Sequence, residues 1–383
     1  MDIATATAPR AAAGVDRAAA RAFADEHIVP FADAWDRAGA VPEELLEQIA
    51  RAGLWAPFLP VELGGSGVDM VTLAAVHEEV GRGCSSVRSL LTVHTMASWA
   101  LQRWGSPAQL DRWARDMAAG RVLGAFCLSE PGAGSDAAGI TTTAVREGDG
   151  WRLNGVKTWT TGGQRADLFL VFARTESSTV ALLVPRASAG VTVRPLDDML
   201  GTRASLIAQI AFEDVLLGPD ALLGPSSFAS GMVLSGTLDL GRLSVAAGSV
   251  GIIQACLEAG ADYSSKRTVG GSRLKDLPLI RAKLSDMVTD VRAARLLVAE
   301  AARLKDAGDP ATIMATWVAK YFASTAAARH ATEALQIHGA LGFSSGHPTG
   351  RFYRDAKVAE VIEGSTEIQR LTIADEAFRR WTA

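Results

Sequence analysis

Residues 354–370, RDAKVAEVIEGSTEIQR, contain two helical runs with a break between them. The first run, AKVAEVI, stops before Glu363-Gly364-Ser365, and the second begins at Thr366. A glycine at a helix break lets a ligand approach the backbone closely, and the first turn of the second helix offers free N–H groups to an anion. The stretch therefore predicts a ligand-binding junction between two helices, late in the chain.

Glu363 is the candidate catalytic base at this junction. It follows the apolar pair Val361-Ile362. If that apolar side is buried, the carboxylate loses its solvent, its pKa rises, and it becomes a competent base near neutral pH. The other interpretation of the same residues is an ordinary helix N-cap with a solvated glutamate.

The hydrophobic pattern changes twice along the chain. Apolar residues follow a helical spacing to about residue 121, alternate in short runs up to about 217, and return to helical spacing after Pro225, in four long segments. The pattern predicts an α+β protein with domains at residues 1–121, 122–226 and 227–383. The candidate strands are VLGAFCLS, ITTTAVRE, WRLNGVKTWTTG, DLFLVFART, TVALLVPR, VTVRPL and AQIAFEDVLL, with EGDG (147–150) as a hairpin turn.

Composition narrows the class of protein. A net charge of −4 argues against a general nucleic-acid binder. The three cysteines are widely spaced, which predicts free thiols in a reducing cytoplasm, and neither they nor the six histidines have metal-ligand spacing. The first residues lack the pattern of a signal segment, and no run of about 18 apolar residues is free of charges or glycine. We therefore expect a cytoplasmic protein without a membrane span.

Two further stretches, CLSEPGAGSD (127–136) and LNGVKTWTTGG (153–163), bear on the meaning of the stretch 354–370. In this order and spacing, the three resemble the signature motifs of the acyl-CoA dehydrogenase flavoprotein family, from about residue 15 to 380. The resemblance implies an N-terminal helical domain, a central β-barrel-like domain and a C-terminal four-helix bundle. It also implies FAD as cofactor and Glu363 as the base that removes the α-proton of an acyl thioester while hydride passes to flavin N5.

The first of these motifs would hold the pyrimidine edge of the flavin. By resemblance, Ser129 hydrogen-bonds that edge, with backbone contacts from Phe126 and Leu128. Ser135 would touch the phosphate side of the flavin or the thioester arm of the substrate. Without the other motifs, this stretch would be a plain glycine-rich turn.

The remaining cofactor residues lie in three other places. Trp159 would pack against the flavin ring and Thr161 would hydrogen-bond near N5, although a lone strand Trp is usually a core residue. Gln336 and Gly339 resemble an element that reaches the flavin of a neighbouring subunit. By the same resemblance, the residues at the adenosine half of FAD are Ser365 and Glu367.

One stretch, RTVGGSRL (267–274), departs from the family pattern. Arg267 and Gly271 match, and Arg267 is the residue that would pair with the pyrophosphate. A phenylalanine of the family is replaced by Gly270, and a downstream glutamine by Pro278. We therefore expect weaker FAD retention than is usual for the family.

Arg88 and Thr92 concern the acyl group. They are four residues apart in a predicted helix and therefore share a face. Family members that act on glutaryl thioesters or make malonyl-type extender units on acyl carrier proteins carry an Arg in this helix, and a guanidinium suits a carboxylate or polar oxygen. The alternative is an ion pair between Arg88 and Glu78 or Glu79.

Further substrate contacts are implied at Asp239, Arg242 and Gly364. The first two match positions near the pantetheine arm and the catalytic loop, and the glycine adjoins Glu363. A pantetheine arm is common to CoA and to carrier proteins, so these residues do not separate the two. No metal site is expected.

The function we predict is FAD-dependent dehydrogenation of a short, polar acyl thioester. The local sequence is most similar to members that act on carrier-protein thioesters in polyketide extender-unit biosynthesis, so a hydroxy- or aminoacyl unit is favoured. A glutaryl-type or short-chain acyl-CoA dehydrogenase is the first alternative, and a non-catalytic binding protein with this fold is the second. We also expect a homodimer or homotetramer and an external electron acceptor for the reduced flavin.

Overall fold

The computed structural model describes residues 14–224 and 229–381. Helices form the first part of the chain, and three of them begin at a polar cap. Asp16 accepts from the backbone N–H of Ala19, and Asp69 from that of Thr72. Ser106 forms a reciprocal capping box with Gln109. The helices are α1 Arg17–His27, α2 Ala32–Ala38, α3 Glu43–Arg51, α4 Met70–Gly83, α5 Ser85–Trp104 and α6 Pro107–Ala118.

The middle of the chain forms one seven-stranded sheet. The strand order is β1-β4-β2-β3-β7-β6, and β5 pairs with β4. Each of the seven predicted strands has a counterpart, and the EGDG turn joins β2 to β3 with Glu147 opposite Gly150. The strands are β1 Gly124–Cys127, β2 Thr143–Glu147, β3 Gly150–Thr160, β4 Leu168–Arg174, β5 Thr179–Pro185, β6 Val191–Pro195 and β7 Ala208–Leu217.

The C-terminal part is again helical. Its core is rich in alanine, including Ala294, Ala301, Ala319 and Ala323, and small side chains let the helices pack closely. The elements are α7 Ala229–Lys266, β8 Thr268–Val269, β9 Ser272–Arg273, α8 Pro278–Asp306, α9 Thr312–His338, α10 Pro348–Val361 and α11 Thr366–Trp381. Short 3₁₀ turns lie at Val61–Leu63, Ala137–Gly139, Pro219–Ala221, Leu274–Asp276 and Gly339–Phe343. The α+β fold class with this order of parts is confirmed.

Helix α7 is long and apolar enough to cross a membrane over Gly231–Lys266, but 83% of its most apolar window is buried within the protein. It packs against α4, α5, α8 and α9. Its apolar surface is therefore used by the core of the fold.

The crossing of α4 and α7 depends on glycines at the points of contact. A Cβ atom at Gly81 would lie 2.8 Å from the Cα of Gly248, and one at Gly251 would lie 2.2 Å from the carbonyl oxygen of Glu78. No residue larger than glycine fits at such distances without a shift of the backbone. The two helices therefore approach until their backbones touch.

Gly251→Ala is expected to destabilise the protein by about 3 kcal/mol, because the added methyl group collides with backbone atoms that cannot rotate away. Gly231→Ala, in the same helix, is the matched control, since a Cβ at Gly231 meets nothing within 4 Å. Urea unfolding of both variants measures the difference. Equal free energies of unfolding for the two variants would contradict this account of the crossing.

Candidate active site

The junction between α10 and α11 has left-handed backbone at two consecutive residues. Glu363 has φ = 55° and Gly364 has φ = 93°. The left-handed conformation costs a non-glycine residue about 1–2 kcal/mol, so contacts of the fold must hold Glu363 there. The predicted helix break is confirmed, and its strained residue is the candidate base.

Side chains from three helices hold the junction by its carbonyl groups. Lys320 Nζ and Gln369 Nε2 each donate to the carbonyl oxygen of Gly364, at 2.8 Å. Arg242 Nε donates to the carbonyl oxygen of Glu363 at 3.1 Å. The backbone is therefore fixed without use of the Glu363 side chain.

One oxygen of the Glu363 carboxylate is held away from solvent, although the residue as a whole is partly exposed. Its Oε2 atom is buried and has no hydrogen-bond partner in the part of the chain that the structure describes. Burial raises the pKa of Glu363 to about 7, although the charges of Arg242, Lys320 and Arg88 favour the ionised form. This environment does not fit a solvated N-cap glutamate.

Room for this carboxylate comes from a glycine on α7. A Cβ atom at Gly241 would lie 2.5 Å from Glu363 Oε2 and 2.9 Å from the sulfur of Met96. Any larger residue at this position would displace the carboxylate. The place of Glu363 is therefore set by α7 as well as by its own loop.

The predicted substrate residues Arg242 and Asp239 both lie near this junction. The guanidinium of Arg242 stacks on the Trp317 ring, 4.0 Å from the ring centroid. Asp239 is buried and forms an ion pair with Lys305, while its Oδ1 has no partner among the described residues. Burial raises the pKa of Asp239, and the nearby charges of Lys305 and Arg242 oppose the shift.

Arg88 is a buried cation without an acidic hydrogen-bond partner in the described chain. Its Nη1 donates to Thr92 Oγ1 at 3.2 Å, and its Nε has no partner. Burial lowers the pKa of Arg88 to about 10, and the negative charges of Asp355 and Glu363 act in the opposite direction.

The suggested pairing of Arg88 with Glu78 or Glu79 is wrong. Glu78 binds Arg17 and Arg295, each at 2.7 Å, and Glu79 binds Arg17 at 2.7 Å. These arginines approach from α1 and α8, so the acidic pair of α4 serves the packing of those helices.

The face of α5 that carries Arg88 lies against one face of α7 with matching positions. Met96 approaches Gly241, Thr92 bonds Ser244, and Arg88 approaches Gly248, where a Cβ would lie 2.7 Å from Nε. The interval from 241 to 248 corresponds to about 10 Å of helix rise. Glu363 and Arg88 therefore lie at opposite ends of one short helix–helix seam, which we call the α5–α7 seam.

Trp159 presents a platform at the end of β3. Its backbone has φ = 58°, it lies within an irregularity of the β3–β7 register between Lys157 and Thr160, and it is 58% exposed. A large aromatic ring held open on strained backbone is unusual for a core residue and suits a planar ligand.

A buried ion pair fixes the two flavin-side motifs to each other. Lys157 Nζ binds Glu130 Oε1 at 2.7 Å and the carbonyl oxygen of Leu128 at 2.9 Å. The Thr158 N–H donates to the carbonyl oxygen of Ser129 at 2.8 Å. Burial opposes ionisation of Glu130, but Lys157 and neighbouring threonines outweigh it and lower its pKa to about 2.

The other predicted flavin residues fall into two groups. The first group lies beside the Lys157–Glu130 ion pair. Three of its members are partly exposed, namely Phe126, Ser129 and Thr161, and Leu128 is buried. Ser135 is exposed on the turn that contains Gly132 and Gly134, around which there is open space. The open turn, the polar Ser129 and the exposed Trp159 fit a bound flavin.

The second group lies on the outer surface of the chain. Arg267, Gln336, Gly339 and Glu367 are exposed, and Ser365 is partly exposed. A surface position agrees with the expectation that Gln336 and Gly339 contact another subunit. The structure does not place Arg267, Gln336 or Gly339 among the side chains that surround Glu363.

The divergent stretch 267–274 folds as a hairpin. Gly270 and Gly271 form its two-residue turn, with φ values of 57° and 85°. A turn with two positive φ values is the kind that favours glycine at both positions, so a phenylalanine at 270 would be strained. Glycine in place of phenylalanine at position 270 therefore goes together with the two-residue turn of this hairpin.

Sequence reasoning missed Lys320, Gly241 and Trp317. Lys320 is buried, and burial lowers its pKa to about 7, against the effect of Glu363. A lysine in the apolar run ATWVAKYFAS was a usable signal, since burial of a lysine requires a partner. Gly241 and Trp317 gave no such signal.

Comparison with known proteins identifies the family of the chain. Models of the acyl-CoA dehydrogenase N-terminal, middle and C-terminal domains match residues 16–121, 125–215 and 231–378. The mitochondrial short-chain specific acyl-CoA dehydrogenase of Rattus norvegicus is 38% identical over 371 residues, 95% of this chain and 90% of that protein. Glutaryl-CoA dehydrogenase of Desulfococcus multivorans is 35% identical over 364 residues, 92% and 93% of the two chains.

Solved structures give the same result. Butyryl-CoA dehydrogenase from Megasphaera elsdenii superposes with a TM-score of 0.92 at 31% identity, covering 95% of this chain and 97% of that one. FkbI, for biosynthesis of the methoxymalonyl extender unit of Fk520, has a TM-score of 0.86 at 32% identity, covering 95% and 99%. The chain belongs to the acyl-CoA dehydrogenase family of FAD-dependent oxidoreductases that act on acyl thioesters.

Lys157→Met is expected to destabilise the protein by about 3–5 kcal/mol, because it leaves the Glu130 carboxylate buried without its cation. Lys357→Met is the matched control, since Lys357 forms an exposed pair with Glu360 and should contribute little. Denaturant unfolding monitored by circular dichroism compares them. A Lys157→Met protein as stable as the control would show that the Lys157–Glu130 ion pair does not stabilise this region.

Proposed function

We propose that this protein dehydrogenates a short acyl thioester whose acyl group ends in a carboxylate or polar oxygen. The observation that carries the proposal is Arg88, a buried guanidinium without an acidic partner in the described chain, at the far end of the α5–α7 seam from Glu363. A buried charge is costly unless paired, so a substrate oxygen would supply what the chain lacks.

The length of the seam supports a short acyl group. About 10 Å of helix rise separates the levels of Gly241 and Gly248, and the Glu363 and Arg88 side chains occupy part of that interval. An acyl chain of a few carbons would fit between the base and the guanidinium.

Glu363 would act as the base at the thioester end. Its carboxylate accepts the α-proton and becomes a carboxylic acid, and the nearby charges of Arg242 and Lys320 limit its pKa to about 7. FAD, when bound beside Trp159, supplies the acceptor for the β-hydride. We propose Phe126, Leu128, Ser129, Ser135, Trp159 and Thr161 as contacts to one half of FAD, and Arg267, Gln336, Gly339, Ser365 and Glu367 as contacts to the other half or to a second subunit's FAD.

Within this class we favour a carrier-protein thioester of extender-unit biosynthesis. The 32% identity to FkbI over nearly the whole chain supports it. A glutaryl-type CoA substrate is the second candidate, because Arg88 suits a carboxylate and a glutaryl-CoA dehydrogenase is 35% identical. The strained backbone of Glu363 and its buried, unpartnered Oε2 in the described chain disfavour a non-catalytic role, because binding alone needs neither.

A second copy of the chain is the partner that we propose for the C-terminal helices. Large apolar side chains are exposed there, including Leu279 at 78% and Phe343 at 79%. Such side chains mark contact surfaces when they are grouped. The three free cysteines support a reducing, cytoplasmic location, where an electron acceptor would reoxidise the flavin.

Glu363→Gln should retain FAD and lower turnover by about 10²–10⁴-fold, because an amide cannot accept the proton. Anaerobic bleaching of the flavin by thioester measures it. Glu360→Gln is the control on the same segment, since Glu360 pairs with the exposed Lys357 and should leave the bleaching rate nearly unchanged. Comparable rates for both variants would remove Glu363 from the mechanism.

The pH dependence follows from the pKa of Glu363. Activity requires the carboxylate form, so kcat/KM should rise with pH up to about 7 and level off above it. Lys320→Met removes a positive charge that favours the carboxylate, so the midpoint of the profile should move to higher pH. A midpoint that stays in place or moves down would contradict the role given to Lys320.

Arg88→Met should lower kcat/KM for a glutaryl thioester by about 10–150-fold more than for a butyryl thioester, the value of one charged hydrogen bond. The same acyl groups offered on CoA and on an acyl carrier protein decide between the two carriers. Equal losses on glutaryl and butyryl thioesters would make Arg88 a structural residue and end the proposed acyl specificity.

A further inference from the structure

A chain of buried polar side chains leads from Arg88 into the core. Thr92 Oγ1 lies 2.6 Å from Ser244 Oγ, which lies 2.5 Å from His77 Nδ1. His77 Nε2 lies 3.4 Å from Thr95 Oγ1. All five side chains are less than 6% exposed, and they come from α4, α5 and α7.

The donors and acceptors of this chain can be ordered from one end. The carbonyl oxygen of Arg88 can only accept, and Thr92 Oγ1 lies 2.9 Å from it; with the Thr92 proton placed there, Thr92 accepts from Arg88 Nη1 and from Ser244. Ser244 has then used its proton and accepts from His77 Nδ1–H. In this order a neutral His77 carries its proton on Nδ1, and Nε2 accepts from Thr95.

Two features of the site agree with a neutral histidine. Burial lowers the pKa of His77 to about 3, and the charge of Arg88 acts in the same direction. No acidic side chain bonds to His77 in the described part of the chain, where its ring is bonded to Ser244 and Thr95. The order of the hydrogen bonds therefore does not change near neutral pH.

The guanidinium has little else to fix its direction. Gly248 confines its stem, Nε is unpartnered, and Thr92 is its only side-chain hydrogen-bond partner among the described residues. A long side chain with a single anchor takes its orientation from that anchor. The anchor hydroxyl is itself held by Ser244 and, through it, by His77.

We propose that His77 and Ser244 are positioning residues that, through Thr92, aim the Arg88 guanidinium at the end of the acyl group and so set the preference for polar acyl groups. The inference rests on the proposed function of Arg88. It adds two residues that do not touch the substrate to the determinants of specificity.

The test compares kcat/KM for glutaryl and butyryl thioesters in the FAD-loaded protein. Ser244→Ala and His77→Leu should each lower the glutaryl-to-butyryl ratio about tenfold, the value of one buried hydrogen bond, mainly through KM for the glutaryl thioester. His77→Asn keeps an N–H donor near the place of Nδ1 and should restore most of the ratio. Thr92→Val and Thr92→Ser give a second pair, without and with the anchor hydroxyl, if the core variants fold poorly.

The outcomes separate the two proposals. A ratio unchanged in Ser244→Ala and Thr92→Val, with Arg88→Met still selective in its loss, overturns the positioning role alone. An unchanged ratio in Arg88→Met overturns both the proposed function and the positioning role. Equal losses on both thioesters in Ser244→Ala and His77→Leu, without rescue in His77→Asn, would mean that the chain only satisfies buried polar groups.

Discussion

The carboxylate of Glu363 lies against a point on α7 that has no side chain. Gly241 makes that contact possible, and Arg242, Lys320 and Gln369 secure the loop by its carbonyl groups, while Oε2 has no hydrogen-bond partner among the described residues. Burial raises the pKa of Glu363 to about 7. A carboxylate that is half ionised near neutral pH follows from the packing of three helices on one loop.

The α5–α7 seam is polar along a line where two core helices would ordinarily be apolar. Thr92, Ser244 and His77 satisfy one another, whereas Nε of Arg88 has no partner among the described residues. The seam is therefore incomplete at its Arg88 end, opposite Glu363. Such an arrangement costs stability and is consistent with a site that binds a polar ligand.

The fold and the helix break at Glu363 were predictable from the sequence because their signals are local. Seven strands follow from alternating runs, and Glu363 from a helix break beside an apolar pair. Arg88 was ambiguous because its alternative partner, Glu78, is claimed by Arg17 and Arg295, which lie 61 and 217 residues from Glu78 in sequence. Lys320 and Gly241 act through contacts with a loop more than 40 residues away, and no local pattern reports such contacts.

The glycines of α7 constrain the sequence on one side of the α5–α7 seam, whereas the α5 side carries no such constraint. A methyl group at 241 would strike the base, and one at 248 would strike the Arg88 stem. If the acyl group lies along the seam as we propose, divergence toward new acyl groups would be confined to the opposite helix, at positions 88 and 92. Substitution there would alter the chemistry of the acyl end without moving Glu363, so substrate range and catalytic competence could evolve separately on this scaffold.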